Sequence, residues 1–306
     1  MVENAIQLIW FFVRVAWLVF EPLLWPALAF GLLAVVVKGR EALEAARRAA
    51  GQTRITLLLY VFDLLLIGPP LGMAIVLIVR TVERHSLALV SPDVWSWTPV
   101  PVTLLVTVFV GDFCSYWRHR LEHTKWLWPA HAVHHSDTEM TWLTGNRFHP
   151  VNRLVTGIID NTILALLGAP AWAITVNELF RHYYGEFIHA DVPWTYGRGS
   201  FVFVSPVMHR WHHARDVTGA GSNFATVFSV FDRAFGTLYL PGPCTVPLGV
   251  TDDMGTGAVG QLTYPFKCWT SDLLRHAGRL RAPRRTHLQR AAESAPHQPA
   301  CLRANE

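Results

Sequence analysis

The stretch RHRLEHTKWLWPAHAVHHS, residues 118–136, places His119, His123, His131, His134 and His135 within seventeen residues. A second knot, HRWHH, adds His209, His212 and His213, and eleven of the fifteen histidines fall between positions 119 and 213. On a helix, residues four apart share a face, so His119 and His123 can turn two imidazoles to one point. His131, His134 and His135 stand at i, i+3 and i+4, and HRWHH repeats that spacing. A neutral imidazole is a borderline ligand for iron, zinc, copper or nickel, whereas a buried one without a partner is costly. Clusters repeated in this way point to metal binding. Eight imidazoles exceed what one tetrahedral zinc can use, so two ions are expected.

These histidines sit in an apolar chain: 306 residues, 51% hydrophobic, 16% charged, with a mean hydropathy of +0.26. That is the composition of a membrane protein. About 20 apolar helical residues cross a hydrocarbon layer roughly 30 Å thick. Three such runs precede the histidines: about Ile6 to Val37, interrupted by Pro22 and Pro26; Ile55 to Val79, with a Gly-Pro-Pro break at 68–70; and Trp97 to Trp117. The first reads either as one long helix kinked at its prolines or as a shallow hairpin. Glu3 precedes any basic residue and no clear small-residue cleavage site follows, so this segment reads as retained. From Leu154 to Ile188 an apolar stretch broken by LLGAPAW suggests a re-entrant helical hairpin. The fold expected is therefore all-α, with three or four transmembrane helices, a re-entrant hairpin and a cytosolic histidine-rich cap.

Orientation follows from basic residues, which stay on the cytoplasmic side. The loop carrying Lys38, Arg40, Arg47, Arg48 and Arg54 is expected inside, which brings His119 to the same face after two further spans. The hairpin returns His182 and His189 there as well. A net charge of +4 and a pI near 9.0 fit contact with anionic headgroups and need no nucleic acid. Cys114, Cys244, Cys268 and Cys301 form no C-x-x-C pair and indicate neither a disulfide framework nor a zinc knuckle.

The segments DFCSYWRHRLEH, LWPAHAVHHS, FIHADVPW, SPVMHRWHHARD and FDRAFGTLY, in this order between Gly111 and Pro241, resemble the signatures of the fatty acid hydroxylase and sterol desaturase superfamily. The resemblance implies two non-haem irons held mainly by histidine, which activate O2 against a C–H bond of a lipid: sterol, fatty acyl, carotenoid, ether lipid or aminolipid. By motif matching the ligand candidates are His119, His123, His131, His134, His135, His189, His209, His212 and His213. His182 lies two helical turns before His189 on about the same face and is a tenth candidate. Asp112, Asn223 and Asp232 are candidates to support the ligating imidazoles from behind, because such imidazoles usually donate their other N–H to an acceptor. His149, in RFHP, reads as a structural partner. The domains expected are residues 1–110, a transmembrane region; 111–241, the di-iron domain; and 242–306, a basic, partly disordered tail. No flavin, nicotinamide or haem-attachment fingerprint occurs, so electrons are expected from a separate ferredoxin- or cytochrome-type protein.

Two rival readings remain at the level of sequence. HRLEH satisfies the H-x-x-E-H pattern of a zinc hydrolase, with Glu122 as general base, but leaves both H-x-x-H-H groups unused. A haem or metal carrier needs few of these histidines. Asp63 and Arg14 lie inside apolar spans, where Arg14 can snorkel and Asp63 can pair within the bundle. Trp10, Trp17, Trp25, Trp95 and Trp97 read as interfacial anchors.

Overall fold

The computed structural model describes residues 2–215 and 221–281, and among these residues the chain is helical, with no strand beyond one isolated bridge between Ala214 and Leu248. Among the described residues three helices are long and apolar enough to cross a membrane: Val13–Lys38, Glu41–Arg84 and Val100–Glu122. The first belongs to α1 (Val2–Lys38), one helix that continues through Pro22 and Pro26, so the hairpin alternative does not occur. The second joins α2 (Glu41–Phe62) to α3 (Gly68–Arg84) through a single wide turn, Asp63–Ile67. There the Gly68 N–H donates to the Asp63 carbonyl, five residues back. Pro69 and Pro70 then fall in the first turn of α3, where a missing N–H is tolerated. The expected Gly-Pro-Pro break is thus absorbed without ending the helix. Asp63 pairs with Arg153 at 3.2 Å.

At 1.5 Å per residue the 44 residues from Glu41 to Arg84 extend about 66 Å, twice the thickness of a hydrocarbon layer. Only the apolar part, from Ile55 onward, suits lipid. The polar first half, with Glu41, Glu44, Arg47 and Arg48, rises beyond it and joins the histidine-bearing end of the molecule. Its anchor is the fully buried Arg147, whose Nη1 donates to Gln52 Oε1 at 2.9 Å and whose Nε donates to the Val133 carbonyl at 3.1 Å.

After the short α4 (Pro92–Trp97), α5 (Val100–Glu122) runs to the histidines and carries the third apolar span. The Leu154–Ile188 stretch forms two helices, α7 (Pro150–Leu166) and α8 (Ala171–His189), both packed on α5. Glycines allow the close approaches. A Cβ on Gly111 of α5 would lie 2.9 Å from Asn177 Oδ1 of α8, and one on Gly157 of α7 would lie 2.7 Å from Leu71 of α3. The turn between α7 and α8 meets the segment after α3, where Leu89 N–H donates to the Leu166 carbonyl at 2.7 Å. The pair therefore reaches the end of the bundle opposite the histidines.

Above the bundle, α6 (Trp128–His135), α9 (Pro206–His212), α10 (Val230–Ala234) and α11 (Ala258–Arg281) complete the histidine-bearing end. Two apolar clusters flank the histidines. One joins Leu59, Trp128, Val133, Tyr264 and Cys268; the other joins Tyr116, Ile188, Met208, Phe224 and Phe231. The region after Pro241 is therefore not simply a tail, since α11 supplies Tyr264 and Cys268 to the core. The rest of the expected tail, residues 282–306, lies outside the described residues. Cys114 and Cys244 are free. His149 caps α7: its Nδ1 accepts from Val151 N–H at 3.2 Å, and its Nε2 lies 3.1 Å from the Leu262 carbonyl of α11.

Gly168 in the α7–α8 turn has φ +73, and a Cβ there would stand 2.3 Å from the Val90 carbonyl oxygen. Gly168→Ala is expected to lower the thermal midpoint in detergent by several degrees, since the backbone conformation alone costs about 1–2 kcal/mol for an L-residue. Gly51→Ala, inside α2 with open space around it, should leave the midpoint unchanged or raise it. Equal midpoints for the two variants would contradict this turn.

Candidate metal centre

Four chain segments carry nine histidines to one place. His119 lies in the last turn of α5 and His123 is its C-terminal cap residue; His131, His134 and His135 come from α6; His189 ends α8; His209, His212 and His213 come from α9 and its cap. Both short helices carry a proline in their first turn, Pro129 in α6 and Pro206 in α9, and Ser205 caps α9 by accepting from Met208 N–H at 3.3 Å. The imidazoles form two groups, His119, His123, His131, His135 and His212, and His134, His189, His209 and His213. Within each group the nitrogens that could serve as ligands lie within 4.8 Å of one another. Each H-x-x-H-H trio is divided between the groups: its i, i+4 pair enters one, and the histidine at i+3 enters the other.

Proton positions follow from the acceptors behind the rings. His119 Nδ1 faces the Phe224 carbonyl at 2.7 Å, His212 Nδ1 the Ser222 carbonyl at 2.6 Å, and His189 Nδ1 the Gly185 carbonyl at 2.6 Å. A carbonyl oxygen only accepts, so each of these Nδ1 atoms carries the proton. His131 Nδ1 lies 3.1 Å from Asn152 Oδ1, and that amide is oriented by its Nδ2, which donates to Glu122 Oε1 at 2.7 Å. A neutral imidazole has one proton, so all four Nε2 atoms present bare lone pairs. Yet His119 Nε2 lies 3.0 Å from both His131 Nε2 and His212 Nε2. In the second group His189 Nε2 is 3.0 Å from His209 Nε2 and 3.2 Å from His134 Nε2. Burial keeps these rings neutral, holding His131 and His212 near a pKa of about 3 and His189 near about 4. Lone pairs facing each other at 3.0 Å repel unless a cation lies among them. Both ring nitrogens of the buried His213, and Nδ1 of His209, also have no partner. The donor set therefore fits two metal ions, one in each group.

The residues expected behind the histidines act one layer further out. Asp112 accepts from the N–H groups of Thr226, Val227 and Phe228 at 2.7–3.2 Å. Asp232 accepts from Phe224 and Ala225 N–H, at 2.7 and 3.1 Å, and from Thr237 Oγ1 at 2.7 Å. Asn223, at φ +57, donates to the Met208 and Tyr239 carbonyls. None of the three is hydrogen-bonded to a histidine. Together they fix the 222–228 segment whose carbonyls at Ser222 and Phe224 hold His212 and His119.

His182 lies outside both groups; it is half-exposed, with Nε2 3.4 Å from Glu186 Oε1. Two contributors were missed by sequence reasoning: Asn152, and Glu122 as its support. Glu122 also accepts from Arg118 Nη1 at 2.7 Å and Thr156 Oγ1 at 3.1 Å. The available signal was a polar i, i+4, i+8 stripe, Asn152, Thr156 and Asp160, on the apolar α7. Asp160 binds Arg118 of α5 at 2.7 Å and Arg181 of α8 at 3.2 Å. Above this network a cavity of about 340 Å³ opens between α7 and α8 and reaches His119, His131, His134, His189 and His209.

Comparison with known proteins agrees with this geometry. Residues 104–237 match the fatty acid hydroxylase family. It is 28% identical over 205 residues to an ornithine lipid hydroxylase of Rhizobium tropici, covering 65% of this chain and 61% of the relative. An alkylglycerol monooxygenase of Danio rerio is 31% identical over 60% of this chain, and the alignment covers 40% of that relative. A methylsterol monooxygenase of Arabidopsis thaliana is 29% identical over 62% of this chain and 69% of the relative. The chain thus spans less than two thirds of the length of the first two. No solved structure matches it significantly.

The depressed imidazole pKa values set a pH dependence. In the unfolded chain these rings take up protons near pH 6.5, while in the fold His189 does so only near about 4, and His131 and His212 near about 3. Below about pH 6.5 the unfolded state therefore holds more protons. Stability is full above that pH and falls as the pH is lowered toward 3. Protons compete with metal for the same nitrogens, so metal release should accompany this loss, steeply and below about pH 6.5. Metal content and thermal midpoint measured from about pH 7.5 to 4 check it. A flat midpoint over that range would contradict the burial of neutral imidazoles.

Proposed function

We propose that the protein is a membrane-bound di-iron oxygenase that uses O2 and externally supplied electrons to hydroxylate or desaturate a C–H bond of a lipid. The observation that carries this reading is the convergence of nine imidazoles into groups of five and four, with bare Nε2 lone pairs turned inward. Imidazole sets suit several metals, and iron is favoured here because the named relatives are hydroxylases and monooxygenases. The irons would supply O2 activation and one-electron chemistry. The chain's own residues do the rest. The carbonyls of Ser222, Phe224 and Gly185 keep protons on Nδ1, so that Nε2 stays available. The gap between α7 and α8 admits a lipid sideways to His131 and His189, while Asp160, Arg118 and Arg181 fix its floor. Burial of the histidines keeps bulk water from the oxidant.

Neither rival fits as well. Glu122 is buried behind His131 and bonded to Arg118, Asn152 and Thr156, so it is not free to act as a hydrolytic base on a bound water. Ligand nitrogens this close together leave no room for a haem macrocycle between them. The electron donor in this reading is a separate ferredoxin- or cytochrome-type protein that approaches from the cytoplasmic side.

Lipid mass spectrometry under ¹⁸O₂ tests the activity. Cells expressing the protein with a reductase system should accumulate a lipid carrying one label, or lacking two hydrogens, compared with cells without it. His135→Ala and His212→Ala should abolish that product with the protein still folded, and His182→Ala should retain it. Product formed by His135→Ala, or label taken from water, would sink the proposal.

The cytoplasmic placement rests on the basic residues between Lys38 and Arg54. Reporter fusions after Arg48, Ser136 and Arg290 should all read cytoplasmic, and one near Asp93 the opposite side. Opposite readings for Arg48 and Ser136 would overturn it.

A further inference from the structure

A second cavity, of about 630 Å³, lies between α1 and α2 and is closed by Met140–Leu143 and by Ala190–Val192. Its size is within the range of clefts that enclose a ligand, roughly 300–1,000 Å³. None of the nine histidines lines it, so it is separate from the space between α7 and α8. Along one wall Ala42, Ala45, Ala46 and Ala49 present only methyl groups where larger side chains would fill the gap.

The lining is mixed in chemistry. Phe20, Phe30 and Leu33 of α1 and Leu57 and Val61 of α2 supply apolar walls, within the helices suited to cross a membrane. Four cations also line it, Lys38, Arg48, Arg54 and Arg210, against the carboxylates of Glu139 and Asp191, and Arg48 and Arg54 border an adjoining cavity that Asp252 and Asp253 line as well. Asp191 is already engaged, by Lys38 and by Arg210 at 3.1 Å. Arg48 and Arg54 have no carboxylate partner among the described residues. An apolar chamber whose lining carries more cations than carboxylates, set between membrane helices, is complementary to an anionic amphiphile.

We propose that this cavity binds one anionic phospholipid, with an acyl chain between α1 and α2 and its phosphate at Arg48 and Arg54. The lipid is a resident ligand and not the molecule oxidised. Ala190 and Arg210 on the cavity wall directly adjoin His189 and His209, so occupancy braces one side of the histidine groups and stabilises the fold by mass action.

Native mass spectrometry of the full chain in detergent, titrated with phosphatidylglycerol or phosphatidylcholine, tests the proposal without reference to catalysis. Its failure is therefore distinguishable from failure of the oxygenase reading. The wild type should hold one phosphatidylglycerol with a preference of about twenty-five-fold over phosphatidylcholine, from two arginines at roughly fivefold each. Arg48→Gln with Arg54→Gln, both exposed positions, should reduce that preference to within about threefold. Ala46→Trp, which fills the chamber, should lose the bound lipid and the accompanying rise in thermal midpoint. Equal affinity of the wild type for the two lipids, undiminished retention by Ala46→Trp, or co-purification of an oxidised product lipid in this cavity would each overturn the proposal.

Discussion

The structure depends on the mutual repulsion of imidazole lone pairs. His119, His131 and His212 each spend their single ring proton on an acceptor behind them, leaving His119 Nε2 3.0 Å from the Nε2 atoms of His131 and His212 with no proton to share, and His189 likewise turns a bare Nε2 toward His134 and His209. An unmet buried polar group costs about 1–3 kcal/mol, and here several are concentrated in one volume. Two cations, as proposed, would convert that repulsion into ligation. Much of the surrounding architecture serves to impose it: carbonyls at Ser222 and Phe224 face His212 and His119, and Asp112, Asp232 and Asn223 hold the segment that carries those carbonyls.

That constraint explains the division of labour between the apolar helices and the histidine-bearing end. α5 and α8 deliver His119 and His189 at their C-terminal ends, and the glycine contacts at Gly111 and Gly157 allow their neighbours to pack closely enough to set those ends. α2 rises beyond its apolar half and reaches the interior through Gln52 and Arg147. Since α7 and α8 both lean on α5, a gap remains between them. The ion network of Asp160, Arg118 and Arg181 spans its floor while leaving the path to the imidazoles open.

The ligand types and their grouping by chain segment were legible in the sequence because helical spacing is local: His119 with His123, and the two H-x-x-H-H trios, could be read from i+3 and i+4 alone. That each trio divides between two groups was not legible, since it depends on how α6 and α9 face each other. Asp112 was legible from its seven-residue spacing to His119, and Asn223 and Asp232 from a family resemblance, but their partners are mainly backbone N–H and carbonyl groups, which carry no side-chain signature. Asn152 escaped notice because its role depends on a tertiary contact with Glu122. In the fold, the three apolar spans were readable from hydropathy. The continuity of α2 into α3 was not, because Gly68, Pro69 and Pro70 signal a break that one wide turn absorbs. The role of α11 was hidden by the basic composition that follows it.

The central claim is that two irons occupy the two histidine groups. The most direct test is elemental analysis combined with X-ray absorption on the full chain purified without chelator. The account predicts two irons per chain, each with a nitrogen-dominated coordination shell, and loss of iron in His135→Ala. One ion per chain, or zinc in an oxygen-rich shell indifferent to His135→Ala, would contradict it.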